Sequence, residues 1–234
     1  MKIRMTVALA ALGLAAISLA AFDGITIKRT PKEGEVHKYK QVGKFDVGGQ
    51  NFDFEAVASQ KITKVETNGN YSVEEKTSDV KLNGQEAPEG AGPGGSTTTY
   101  TPKGEVVEIK GDQVEANTYR FANLALFIVP DKELNAGDKW NYDVKEDKKT
   151  GAVAAKATYT FIGEDKVGGV DSLKISFSVK ESGADAASSE GTLWMRKSDF
   201  VLIKLNAKWT NAPVPGAPTS ITGDITLTIL PEDI

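Results

Sequence analysis

One histidine and no cysteine occur in 234 residues. That scarcity bounds the chemistry before any element is considered. Without a thiol there is no cysteine nucleophile, no thiolate metal ligand and no disulfide. His37 sits between Val36 and Lys38 with no serine, aspartate or second histidine at a motif spacing, so it reads as a structural side chain in a strand. Gly-x-Ser-x-Gly, a glycine-rich phosphate loop and His-Glu-x-x-His are all missing. The acidic pairs are Glu74-Glu75, Glu164-Asp165 and Glu232-Asp233 after Pro231. None has the alternating oxygen ligands and central glycine of a calcium loop, and all three read as solvated turns. Two carboxylates can cleave a glycosidic bond only when they face each other across a cleft, and no spacing here places them so. No catalytic residue, metal site or cofactor is therefore assigned. The chain reads as non-enzymatic, with a carboxylate hydrolase as the last-ranked function.

The side chains that remain are suited to holding a ligand. Trp140, Trp194 and Trp209, with Tyr100, Phe121, Tyr159, Phe161 and Phe177, supply aromatic surface. Core packing is the default for each of them. A ligand cavity is the alternative, because a curled sheet with one helix need not fill its own concavity. The candidate lining is Phe121, Leu124, Ile128, Tyr159, Phe161, Phe177, Trp194 and Trp209.

These residues lie on strands read from their alternation. In Gly191–Trp209, Val201, Ile203, Leu205, Ala207 and Trp209 share one face, and a turn at Ser198-Asp199 makes the stretch a hairpin. Thr98–Lys110 is a weaker copy. Placing Tyr100 on Trp194 sets Lys103 on Lys197, Val107 on Val201 and Ile109 on Ile203. Upstream, Gly34–Tyr39 resembles Gly137–Tyr142, and Asn68–Val73 resembles Gly168–Leu173. The pattern predicts a degenerate duplication, 31–112 and 134–210. In Asn51–Glu66 the apolar positions change phase, which predicts a bulge. Asn68-Gly69 is a hairpin turn signal. A short strand is expected at Ile25–Arg29, and Ile221–Ile229 closes the set. Glu86–Ser96 and Asn211–Thr219 read as loops rich in glycine or proline.

One helix is expected, within 113–128 between the copies. Asp112 would cap it, Phe121, Leu124, Ala125 and Ile128 make its apolar stripe, and Pro130 stops it. The fold class is mainly β: a curled antiparallel half-barrel of about ten strands, dry on one face and wet on the other, around that internal helix. Residues 21–234 form a single domain.

Residues 1–20 read as a secretory signal peptide, with Lys2 and Arg4 before the uncharged run Met5–Ala21 and a small-x-small exit at Ser18-Leu19-Ala20. Cleavage after Ala20 leaves a mature chain with no membrane span and no lipid-bearing cysteine. The net charge of −4 falls further when the two basic residues leave. Charges are interspersed without a basic run, so nucleic acid is not an expected partner. The expected location is the periplasm or the exterior.

The strand Gly191-Thr192-Leu193-Trp194, followed through Lys197-Ser198-Asp199-Phe200-Val201, is similar to the tryptophan strand, tight turn and apolar return strand of exported bacterial half-barrels. With the leader, the meandering sheet and the internal helix, the chain resembles the LolA/LolB-type lipoprotein carriers. The resemblance implies a fold and transfers no ligand-contacting residue. The leading functional expectation is an exported binding protein holding a lipid or another apolar ligand between sheet and helix. The alternative is a structural or protein-interaction module of the envelope with a filled core.

Overall fold

The computed structural model describes residues 24–88, 95–111, 114–215 and 219–233. The predicted leader, Asp112, Gln113 and parts of both expected loops lie outside the described residues. The strands are β1 (Val36–Val47), β2 (Gln50–Val65), β3 (Tyr71–Leu82), β4 (Gln85–Glu86), β5 (Ser96–Tyr100), β6 (Val106–Gly111), β7 (Lys139–Val144), β8 (Ala155–Val167), β9 (Val170–Glu181), β10 (Ser188–Arg196), β11 (Leu202–Ala212) and β12 (Ile221–Ile229). A helix, α1, covers Ala116–Leu124.

All twelve strands form one open antiparallel sheet, ordered β6-β5-β3-β2-β1-β12-β11-β10-β9-β8-β7, with β4 beside β3. The chain starts near the centre, meanders out to β6, crosses by α1 to the opposite edge at β7, and meanders back. Its last strand, β12, then pairs with its first, Tyr39 opposite Ile229. Both meanders therefore run in the same direction across the sheet, with β12 between them. The two predicted copies, 31–112 and 134–210, fall one in each meander. The residue register does not carry over unchanged: the β5–β6 turn occupies 101–105 and the β10–β11 turn 197–201, two residues out of step under the Tyr100–Trp194 alignment. Tyr100 faces inward with Tyr71, whereas Leu193 and Met195 are the inward residues around Trp194, so the outgoing strands of the two hairpins are also opposite in pleat phase.

The sheet is strongly curled. Eleven strands laid flat at about 4.8 Å spacing would hold β6 and β7 roughly 50 Å apart. Instead, the Val129 N–H after α1 donates to the Lys103 carbonyl in the β5–β6 turn at 2.9 Å, and the Trp140 indole on β7 donates to the Ile128 carbonyl at 2.8 Å. The segment following the helix thus spans the gap between the two edges, which do not pair. Gly104 allows this approach: its φ is +95°, and a Cβ there would overlap the Phe127 carbonyl.

The inner face of β7–β12 is filled. Tyr159, Leu173, Ile175, Val179 and Ala157 are fully buried, with Leu124, Leu126, Ile128 and Leu134 of the crossover packed on them and Ile27 joining the same cluster. Trp209 stacks on Phe45 at 5.8 Å and meets Phe121 edge-on at 5.0 Å, contacts worth about 0.5–1.5 kcal/mol each beyond area burial. The outer face is polar, as the row Thr160, Ser176, Thr192, Asn206 and Thr226 illustrates.

Two expectations need correction. The helix is shorter than 113–128, beginning where the Glu115 N–H donates to Thr118 Oγ1 at 3.1 Å and ending at Leu124. Ala125 is exposed, and Ile128 is buried from an extended segment outside the helix. The carbonyls of Leu126 and Ile128 serve the Tyr159 hydroxyl and the Trp140 indole, which draws this stretch out across the sheet. Ile25–Arg29 forms no strand, and Ile25 makes only an isolated bridge to Leu134. The predicted phase change in β2 is present as an extra residue between Ile62 and Lys64, opposite Val73 and Ser72.

Candidate functional site

Seven of the eight aromatic and apolar residues singled out in the sequence belong to the inner cluster. Leu124, Ile128, Tyr159, Phe161, Phe177 and Trp209 are buried within it, and Phe121 is half-buried against it. Trp194 belongs instead to a second buried cluster, with Tyr39, Val201, Ile203 and Ile229. Leu193 and Met195 point inward, so alternation sends Trp194 to the outer face. There Lys174 and Lys204 from the flanking strands each lie 5.4 Å from its ring centre, and its indole donates to Asp165 at 2.9 Å. That hydrogen bond is the main cause of the lowered pKa of Asp165.

The inner face of β1–β6 differs in character. Pairing brings His37, Gln60, Glu75 and Ser96 side by side across β1, β2, β3 and β5. A polar row therefore runs along a surface whose neighbouring rows are Tyr39, Ala58 and Thr77 on one side and Ile62, Val73 and Thr98 on the other. Beyond these, Tyr71 and Tyr100 stack at 5.6 Å with 30° between the rings. Tyr71, Val73, Glu75, Ser96, Thr98 and Tyr100 are neither sealed nor fully exposed. The same is true of Phe54, Phe121, Phe127 and Tyr142, which border the filled core. Glu74-Glu75 is thus no solvated turn. It lies within β3, where Glu74 faces outward with Lys76 at 2.9 Å and Glu75 faces inward.

Burial pushes the Glu75 carboxyl above its usual value, against the opposing effect of the Gln60 amide, which donates to it at 3.0 Å. Burial also raises the Tyr100 phenol, with the Glu75 charge and Tyr71 adding to the effect. Tyr142 is pushed up to about 12, first by burial and then by the Glu105 carboxylate beside it. At the end of the row, Glu35 accepts from Arg29 at 3.0 Å and lies 2.6 Å from His37 Nε2. His37 Nδ1 is buried without a hydrogen-bond partner among the described residues. Glu35 has a lowered pKa: burial would raise it, but His37, Arg29 and the Lys32 N–H outweigh that.

Two hollows lie elsewhere among the described residues. One, of about 490 Å³, lies open along Glu190, Thr192, Asn206, Lys208, Asp224 and Thr226. Another, of about 330 Å³, adjoins α1 at Asn117, Arg120, Asp185 and Asn211. Beside it Arg120 makes a two-pronged ion pair with buried Glu181, at 3.0 and 2.6 Å. Among the described residues, no group of three or more His, Asp or Glu could hold a metal ion, and no helix is long and apolar enough to cross a membrane.

No family model and no curated protein matches this chain. Among solved structures, it is similar to DynF from the dynemicin biosynthesis pathway of Micromonospora chersina, at 9% identity over 97% of this chain and 96% of that one, with a TM-score of 0.21. It is also similar to a DUF1329 family protein from Desulfovibrio piger, at 12% identity over 85% of each chain, with a TM-score of 0.23. At those scores neither likeness carries an argument about function.

The inward Glu75 could have been found from the sequence. It is in phase with Tyr71 and Val73, just as Gln60 is in phase with Phe54, Ala56 and Ala58. A polar residue at an apolar beat of a strand is the signal.

Proposed function

We propose that this is an exported, non-enzymatic binding protein that takes an apolar or amphipathic ligand against the inner face of β2, β3 and β5. The observation that carries this reading is the set of half-exposed aromatic side chains, Phe54, Tyr71 and Tyr100 with Phe121 and Phe127, on the hollow side of a curled sheet. A convex or flat surface would leave such side chains open to water, and a sealed core would bury them. Export is read from the leader, and the resemblance to LolA/LolB-type carriers agrees with it. Native mass spectrometry of protein purified from its host tests the reading. Reproducible co-purification of a releasable apolar compound is expected. Its reproducible absence, together with no uptake of added single-chain amphiphiles, contradicts the reading.

The filled inner face of β7–β12 favours a second reading, an envelope interaction module acting through its surface. In that case crosslinking in cells recovers a partner protein that is lost when the loop 211–219 is shortened.

A further inference from the structure

Glu75 is the least compensated charge on the inner face. Its hydrogen-bond partner is the neutral amide of Gln60, and no salt bridge reaches it among the described residues. The internal stretches outside the description, 89–94, 112–113 and 216–218, contain no lysine, arginine or histidine. Two basic groups of this face are already engaged: Arg29, which acts on Tyr71, is held by Glu35, and His37 leans on the same carboxylate. Glu74, one residue away, shows the ordinary arrangement, an exposed carboxylate with its own lysine.

A carboxylate half-enclosed without a counter-charge is unfavourable for the folded protein. Beyond the Val73–Thr98 row lie the stacked rings of Tyr71 and Tyr100, and the Glu75 charge acts on the Tyr100 phenol; the faces of such rings carry negative potential and attract cations. Carboxylate and rings thus favour one sign of charge; the described cation that acts on Tyr71, Arg29, is itself held by Glu35, and no described cation forms a salt bridge with Glu75. Resting on the binding reading above, we infer that the ligand carries an organic cation, an alkylammonium or quaternary ammonium group, held between the Glu75 carboxylate and the rings of Tyr71 and Tyr100. The ligand's apolar part then lies toward Phe54, Phe121 and Phe127. An anionic head group would meet the Glu75 charge and is excluded from this position.

Isothermal titration with three ten-carbon amphiphiles below their micelle concentrations tests the inference. The probes are decyltrimethylammonium, decyl sulfate and decyl maltoside. The wild-type protein is expected to bind the ammonium compound about tenfold or more tightly than the sulfate, the scale of an ion pair and a cation–π contact acting together. Glu75→Gln, confirmed as folded by circular dichroism, should abolish that preference while keeping affinity for the maltoside. Tyr71→Leu should weaken it. Equal binding of ammonium and sulfate by the wild-type protein, or an unchanged preference in Glu75→Gln, overturns the cation and leaves the apolar reading standing. Binding of none of the three overturns both.

Discussion

At the scale of single residues, two glutamates in adjoining rows of the sheet have opposite effects on stability. The folded protein holds the Glu75 proton more tightly than the unfolded chain does. Its stabilisation is therefore present below the ordinary value of 4.5 and is lost as pH rises through the raised value. Glu75→Gln is expected to raise stability at pH 7 by about 1 kcal/mol, and the gain should vanish below the ordinary value; urea unfolding at several pH values measures it. Glu35 behaves in the reverse sense. Its lowered pKa gives stabilisation that is present above 4.5 and lost as pH falls through the lowered value. Glu35→Gln should therefore destabilise at neutral pH and have little effect in strong acid. Glu75 was legible in the alternation of β3 but hidden by its neighbour, because two adjacent acids look like a solvated pair until each is assigned to a face.

At the scale of elements, α1 depends on what it touches. Nine residues make too short a helix to be stable alone. It is held by Leu124 in the core, by Phe121 against Trp209, by the Tyr119 hydroxyl accepting from the Ile109 N–H at 3.1 Å, and by Arg120 on Glu181. Arg120→Ala leaves a buried carboxylate unpaired and should cost about 3 kcal/mol. Adding Glu181→Leu should restore part of that loss, which a double-mutant cycle in denaturant would resolve. Gly104→Ala should cost about 2 kcal/mol, because the β5–β6 turn must then move away from the crossover; thermal unfolding reads this. The apolar stripe that announced the helix was real, but it runs past the helix end. Leu126 and Ile128 are buried by an extended segment whose carbonyls are used by Tyr159 and Trp140, partners distant in sequence that leave no trace in local periodicity.

At the scale of the whole molecule, hairpins and alternation in the sequence specify two meanders, and the single curled sheet follows from burying one face of each. The pairing of β1 with β12, which joins them, had no local signal. Strands at opposite ends of the chain show the same alternation whether they pair with each other or lie at free edges. Because that central pairing joins strands from opposite ends of the chain, folding should be slow, on the order of milliseconds to seconds, and stopped-flow tryptophan fluorescence checks it. The same architecture divides the labour. The β7–β12 half is packed solid by the crossover, and the β1–β6 half keeps an inner face partly open to water. The most direct measurement is a chemical-shift titration of isotope-labelled protein with decyltrimethylammonium. The account predicts shifts confined to Phe54, Gln60, Tyr71, Val73, Glu75, Thr98, Tyr100 and the flanking Phe121 and Phe127. Shifts centred on the outer rows around Thr192 and Asn206, or none at all, would contradict it.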